Sequence, residues 1–251
     1  MAGHSHWANI QRTKGVADAK RGKLFSKLSR YILIAARNGG GDPDSNLKLR
    51  YAIDKARAAS MPKDNIERAI KKGTGELDSE TLEELVYEGY GPAGVAILVD
   101  ITTDNRNRTN GEVRKIFERG GGKMANPGAV GWMFDRKGLI VIDRSVIDED
   151  ALMELALEAG ADDVRPSEKQ FEIVCDPTAF TTVQAVLDKK GLTPISAELV
   201  QLAKSPVDVS VDDAKKVLKL MEMLDDNDDV QNVYSNLNLT DEILAAVEAS
   251  N

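Results

Sequence analysis

A chain of 251 residues, 42% hydrophobic and 29% charged, can bury a core and is long enough for two or three domains, which excludes disorder over most of its length. Its net charge of −8 argues on average against a polyanionic partner, and one cysteine (Cys175) with two histidines (His4, His6) excludes a disulfide framework and a cysteine-only zinc site. Apolar runs such as Ile32 to Ala36 and Val95 to Val99 fall far short of the roughly 20 residues a membrane helix needs, and no apolar leader follows Met1, so a soluble, cytoplasmic protein with no membrane partner is expected.

Residues 2 to 15 show almost no periodic apolar pattern and read as an extended arm around the isolated Trp7. From Asp18 to Asn38, Leu24, Phe25, Leu28, Tyr31, Ile32 and Ala35 follow helical spacing, and Gly39-Gly40-Gly41 stops the helix. Leu49, Ala52, Ile53 and Ala56 predict a second helix over 46–60, and Pro62 opens a third that ends at Gly73. Three such helices make a small bundle.

Past Gly75 the pattern changes. Strands are predicted at Glu84 to Glu88, Val95 to Val99 and Val130 to Phe134. A helix lies between the last two, where Thr109 and Glu112 have the spacing of a capping box and Gly120-Gly121-Gly122 is the stop. From Leu139 the order is strand, helix to Gly160, strand (Phe171 to Val174), helix around Val183 to Leu187, and strand (Ile195 to Leu202). A helix capped by Ser210 and a strand at Val230 to Ser235 follow, and these complete the ferredoxin-like pattern left unfinished by residues 84–134. The expected fold is α+β in three domains: a basic helical domain with its arm over 1–78, a discontinuous ferredoxin-like domain over 79–135 plus 206–251, and a second one inserted at 136–205.

The net charge conceals an asymmetry. Residues 1–75 hold 16 Lys and Arg against 6 Asp and Glu, and residues 76–251 hold 17 against 35. Within residues 12–37, Arg12, Lys14, Lys20, Arg21, Lys23, Lys27, Arg30 and Arg37 face one acid, Asp18, so no local pairing neutralises them. Phosphate binding needs such a surface, because each neutralised phosphate releases condensed counterions. Helical spacing puts Lys20, Lys23, Lys27 and Arg30 in one stripe, and the bland alternative is a solvated face. Trp7 is a candidate base-stacking residue, set against the commoner outcome for a terminal aromatic, an anchor docked on the body.

The segment Asp104-Asn105-Arg106-Asn107-Arg108 follows a buried strand and opens a helix, where backbone N–H groups receive anions. Arg106 and Arg108 add positive charge, so Asp104, Asn105 and Asn107 form a candidate anion loop beside an interdomain cleft. The same residues read equally well as a capped loop closed by Asn side chains. The glycine-rich stretches end helices or precede a strand, the wrong context for a nucleotide loop. Asp225, Asp226, Asp228 and Asp229 lack EF-hand spacing and read as a solvated loop; Cys175 reads as a small buried hydrophobe. No catalytic residue, metal site or cofactor is assigned. An enzyme using Asp104 or the acidic knot as metal ligands and a protein-interaction adaptor are the rival classes.

Met1-Ala2-Gly3-His4-Ser5-His6-Trp7-Ala8-Asn9-Ile10, Arg21-Gly22-Lys23-Leu24-Phe25, Gly39-Gly40-Gly41-Asp42-Pro43-Asp44, Met61-Pro62-Lys63-Asp64-Asn65-Ile66, Tyr87-Glu88-Gly89-Tyr90-Gly91-Pro92 and Asp104-Asn105-Arg106-Asn107-Arg108-Thr109 resemble the YebC family over nearly the whole chain. That family includes the mitochondrial translational activator of cytochrome c oxidase. The resemblance implies three domains and one of two roles, a DNA-binding transcriptional regulator or a translation factor acting at the ribosome. The sequence departs from the family pattern at His6, at Gln11 to Thr13 and at Lys123-Met124-Ala125. With contacts that position rather than read bases, a non-enzymatic regulator acting on ribosomal or other structured RNA is the expectation, with duplex DNA the alternative.

Overall fold

The computed structural model describes residues 18–78, 81–167 and 169–248. Helix α1 (Asp18–Gly39), α2 (Leu47–Ala58) and α3 (Lys63–Gly73) open the chain. Asn46 caps α2 by accepting from the Leu49 N–H at 3.1 Å, and its amide donates back to the Ala35 and Gly40 carbonyls at 2.8 Å, so one buried side chain closes the α1–α2 turn. Apart from Leu24, which is exposed, the predicted apolar stripes meet: Leu28, Ile32, Ala35 and Ala36 of α1 pack with Leu49, Ala52, Ile53 and Ala56 of α2 and with Ile66 and Ala69 of α3. Gly73 brings α3 against α1, since a β-carbon there would lie 2.4 Å from the Leu33 carbonyl oxygen.

One sheet has the order β3-β1-β2-β8, built from β1 (Glu83–Tyr90), β2 (Ala96–Thr103), β3 (Lys123–Met124) and β8 (Val230–Ser235). Helix α4 (Arg106–Arg119) follows β2, and α7 (Val211–Asp225) precedes β8. Leu220 of α7 sits against Gly120 and Gly122, where β-carbons would come within 2.5 and 3.1 Å of its side chain. These glycines admit a neighbouring helix, which accounts for them without a phosphate.

The second sheet has the order β5-β6-β4-β7. Its elements run β4 (Phe134–Asp143), α5 (Glu149–Glu158), β5 (Ala161–Pro166), β6 (Gln170–Cys175), α6 (Phe180–Lys189) and β7 (Ser196–Ala203), the ferredoxin-like order. Helix α8 (Asp241–Glu248) ends the described chain. The first sheet has the same spatial order of strands, except that the chain enters it at the strand that comes third in the other. The chain groups into two compact units, residues 18–129 with 216–233 and residues 130–215 with 234–248.

Three sequence expectations are corrected. Val130 to Phe134 is not a strand of the first sheet: Gly131–Met133 forms a 3-10 turn, and Phe134 begins β4 of the second. The third strand of the first sheet is the two-residue Lys123–Met124, too short to leave a pattern. Strand β5 went unpredicted because it is an edge strand that buries only Val164.

Within β4, Gly138 makes room for Cys175 Sγ and the Phe180 ring, each 2.6 Å from where its β-carbon would stand. Burial pushes the Cys175 thiol up to about 11, in keeping with a small buried hydrophobe.

Candidate nucleic-acid interface

Spacings of four and three residues put Lys23, Lys27 and Arg30 on one face of α1. That face meets the acidic loop between α7 and β8. Lys23 Nζ donates to the Asp226 carbonyl at 3.0 Å and lies 3.9 Å from the Asp228 carboxylate. Lys27 Nζ donates to the Asp225 carboxylate at 3.1 Å and to its carbonyl. Arg30 Nη1 donates to the Asp228 carbonyl and to Asp229 Oδ1, both at 2.8 Å. The stripe has no local partners, as its sequence implies, but these three residues find distant ones. Their partners stand 198 to 203 positions along the chain, beyond the reach of any local charge count.

Asp229 is the buried centre of this contact, with a side chain 4% exposed. Its Oδ2 accepts from Thr109 Oγ1 and Arg108 Nη2 at 2.7 Å and from Thr103 Oγ1 at 3.1 Å. Burial raises the carboxyl pKa, but the hydrogen bonds from Thr109 and Arg108, with the charges of Arg108 and Arg30, outweigh it and hold Asp229 below the ordinary carboxylate range. Arg108 also donates to Asp104 at 2.7 Å, and the two carboxylates raise its own pKa.

The loop Asp104 to Arg108 thus meets an anion that belongs to the chain itself. Asn105 caps α4 by accepting from the Arg108 N–H at 3.1 Å, and its own N–H donates to Thr103 Oγ1 at 2.9 Å. The capping-box reading of Thr109 and Glu112 is corrected: the cap lies four residues earlier, Thr109 is buried against Asp229, and Glu112 accepts from Asn227 at 2.9 Å. Arg106 and Asn107 are exposed on the first turn of α4. Arg21 is exposed near the start of α1, and Arg37 donates to the Leu82 carbonyl at 3.2 Å near its end. Trp7, Arg12, Lys14 and the Lys20 side chain lie outside the described residues, as do His4 and His6.

Charge counting over residues 12–37 passed over three cations on α3. Arg68, Lys71 and Lys72 are exposed and form no ion pair among the described residues. Their signal was in the sequence, three cations in five residues, but cations in a last helical turn are also what the helix dipole favours. Among the described residues no group of three or more His, Cys, Asp or Glu side chains is placed to hold a metal ion.

This architecture has relatives. The N-terminal domain of TACO1/YebC proteins matches residues 5–76, and their second and third domains match residues 82–237. A probable transcriptional regulatory protein of Geobacter sulfurreducens is 55% identical over 96% of this chain and 98% of its own length, and one of Syntrophus aciditrophicus is 51% identical over 99% and 100%. The crystal structure of a conserved hypothetical protein from Aquifex aeolicus superposes with a TM-score of 0.84 at 46% identity, covering 95% of this chain and 99% of that one. With three helices followed by two four-stranded α+β sheets, and with matches running nearly end to end, the chain belongs to the TACO1/YebC family.

Proposed function

We propose that the protein is a regulator of gene expression that acts by binding nucleic acid through its helical bundle, with ribosomal or other structured RNA as the target. The observation that carries this reading is the exposed end of α3, where Arg68, Lys71 and Lys72 stand without ion-pair partners among the described residues. Lys and Arg there address phosphates, and phosphate contact supplies most of the sequence-independent affinity for nucleic acid.

RNA is favoured over a specific duplex DNA site by what α3 lacks. Besides Arg and Lys, which serve phosphate and guanine alike, a recognition helix presents side chains such as Asn or Gln to base edges in the major groove. The only such residue on α3, Asn65, is half-buried beside α1. Duplex DNA is the second reading, supported by the names of the Geobacter and Syntrophus relatives.

Titrating salt against an RNA hairpin and a duplex DNA of equal length separates them. Each phosphate contact contributes a slope near 0.9 on duplex. Hairpin affinity that exceeds DNA affinity throughout the titration, and falls on Lys71→Glu, supports the RNA reading; tighter DNA binding overturns it.

A further inference from the structure

Alongside the charged contact, α1, α3 and the segment that follows α3 line an open cleft of about 720 Å³. Each helix lines it at helical spacing, α1 through Ser26, Ser29, Arg30 and Leu33 and α3 through Asn65, Arg68 and Lys72. The close approach at Gly73, where α3 touches the Leu33 carbonyl and Ala36, holds the two helices together on one side of it. The volume falls within the roughly 300–1,000 Å³ typical of ligand sites.

The lining is divided in chemistry. Phe25, Leu33 and Leu82 are apolar, and Phe25 is half-buried, packed in part against the bundle core. The cations are Arg68, Lys72 and Arg30, against one acid, Asp78. Arg30 reaches Asp228 and Asp229 through Nη1, and a guanidinium has five N–H donors, so its other nitrogens remain to serve a guest. Ser26, Ser29 and Asn65 add neutral donors and acceptors between these two parts.

A guest that satisfies all three has an anionic group, a planar apolar face and a hydrogen-bonding edge. We propose that the cleft receives one unpaired nucleotide of a single-stranded RNA segment, with the phosphate toward Arg68 and Lys72 and the base toward Phe25. This rests on the RNA reading above and adds to it a preference for unpaired over paired strands, because a base held within a duplex cannot enter a cleft between two helices. Base–aromatic stacking is tolerant of sequence, so no base identity is implied.

The test measures the fluorescence anisotropy of a labelled ten-nucleotide oligouridylate and of an RNA hairpin with the full-length protein. The variants are Phe25→Leu, which keeps an apolar wall and removes the ring, Arg68→Ala/Lys72→Ala, and Asp78→Asn. Phe25→Leu is expected to weaken oligouridylate binding about tenfold with less effect on the hairpin. Asp78→Asn is expected to strengthen it severalfold, a gain that misfolding does not mimic.

Oligouridylate binding unchanged in all three variants while the hairpin still binds would overturn the cleft and leave the RNA reading intact. Failure of the unmodified protein to bind either RNA would overturn both. Tighter cleft-dependent binding of an acidic, phenylalanine-containing peptide than of oligouridylate would assign the site to protein instead.

Discussion

Arg30 and Arg108 hold opposite oxygens of one buried carboxylate: Arg30 Nη1 lies 2.8 Å from Asp229 Oδ1, and Arg108 Nη2 lies 2.7 Å from Oδ2. One arginine comes from α1 and the other from α4, so Asp229 ties the helical bundle to the first sheet. Asp229→Asn removes the charge both arginines require and is expected to cost about 2–4 kcal/mol, read as a lowered denaturation midpoint. The sign of the pH dependence follows from the depressed pKa. Asp229 stabilises the fold above the unfolded carboxylate value, and this stability is lost as pH falls through its lower folded value, so the variant and the parent should converge in acid.

The acidic loop occupies cations that a phosphate would otherwise contact. Asp228 has a side chain 66% exposed and its partner Lys23 one 48% exposed, so Asp228→Asn should leave the fold intact. RNA affinity should rise about 3- to 10-fold and the salt slope steepen by about one as Lys23 becomes available. Unchanged affinity in a binding titration would mean that this face of α1 does not meet RNA.

Gly73 is set by packing. Its β-carbon would stand 2.4 Å from the Leu33 carbonyl oxygen and 2.7 Å from Ala36 Cβ. Although Ala is the better helix former, Gly73→Ala is expected to destabilise by about 1–3 kcal/mol in chemical denaturation, because backbone cannot give way as a flexible side chain does.

Glu172, in the middle of β6, is 5% exposed, and burial raises its pKa to about 7, partly opposed by Arg165 across the strand pair. The folded state therefore binds a proton that the unfolded chain releases near 4.5, and stability falls as pH rises from about 4.5 to 7. Glu172→Gln should be more stable than the parent above pH 7 by about 1–3 kcal/mol, with the difference vanishing below pH 4.5; thermal melts across this range check it.

The sequence made legible those elements whose apolar residues face one core. The stripes of α1, α2 and α3 meet as spaced apart from Leu24, and β2, buried along most of its length, announces itself in the unbroken apolar run Val95 to Val99. Strands β3 and β5 escaped because two residues, or an edge with one buried side chain, carry no period. The interface was legible only in part. Composition located the excess of cations in the bundle, but composition is blind to pairing across the chain. It could not show that Asp225 to Asp229 meet Lys23, Lys27 and Arg30, or that Arg68 and Lys72 line a cleft with α1.

The most direct test is cosedimentation of the protein with ribosomes in the presence of excess unrelated duplex DNA, with salt titrated upward. Ribosome binding that persists at salt concentrations that strip the DNA, and that weakens when Arg68, Lys71 and Lys72 are all changed to Glu, is the predicted result. Retention on DNA after the ribosomes are lost would contradict the RNA reading and make the search for a target site in duplex DNA the next step.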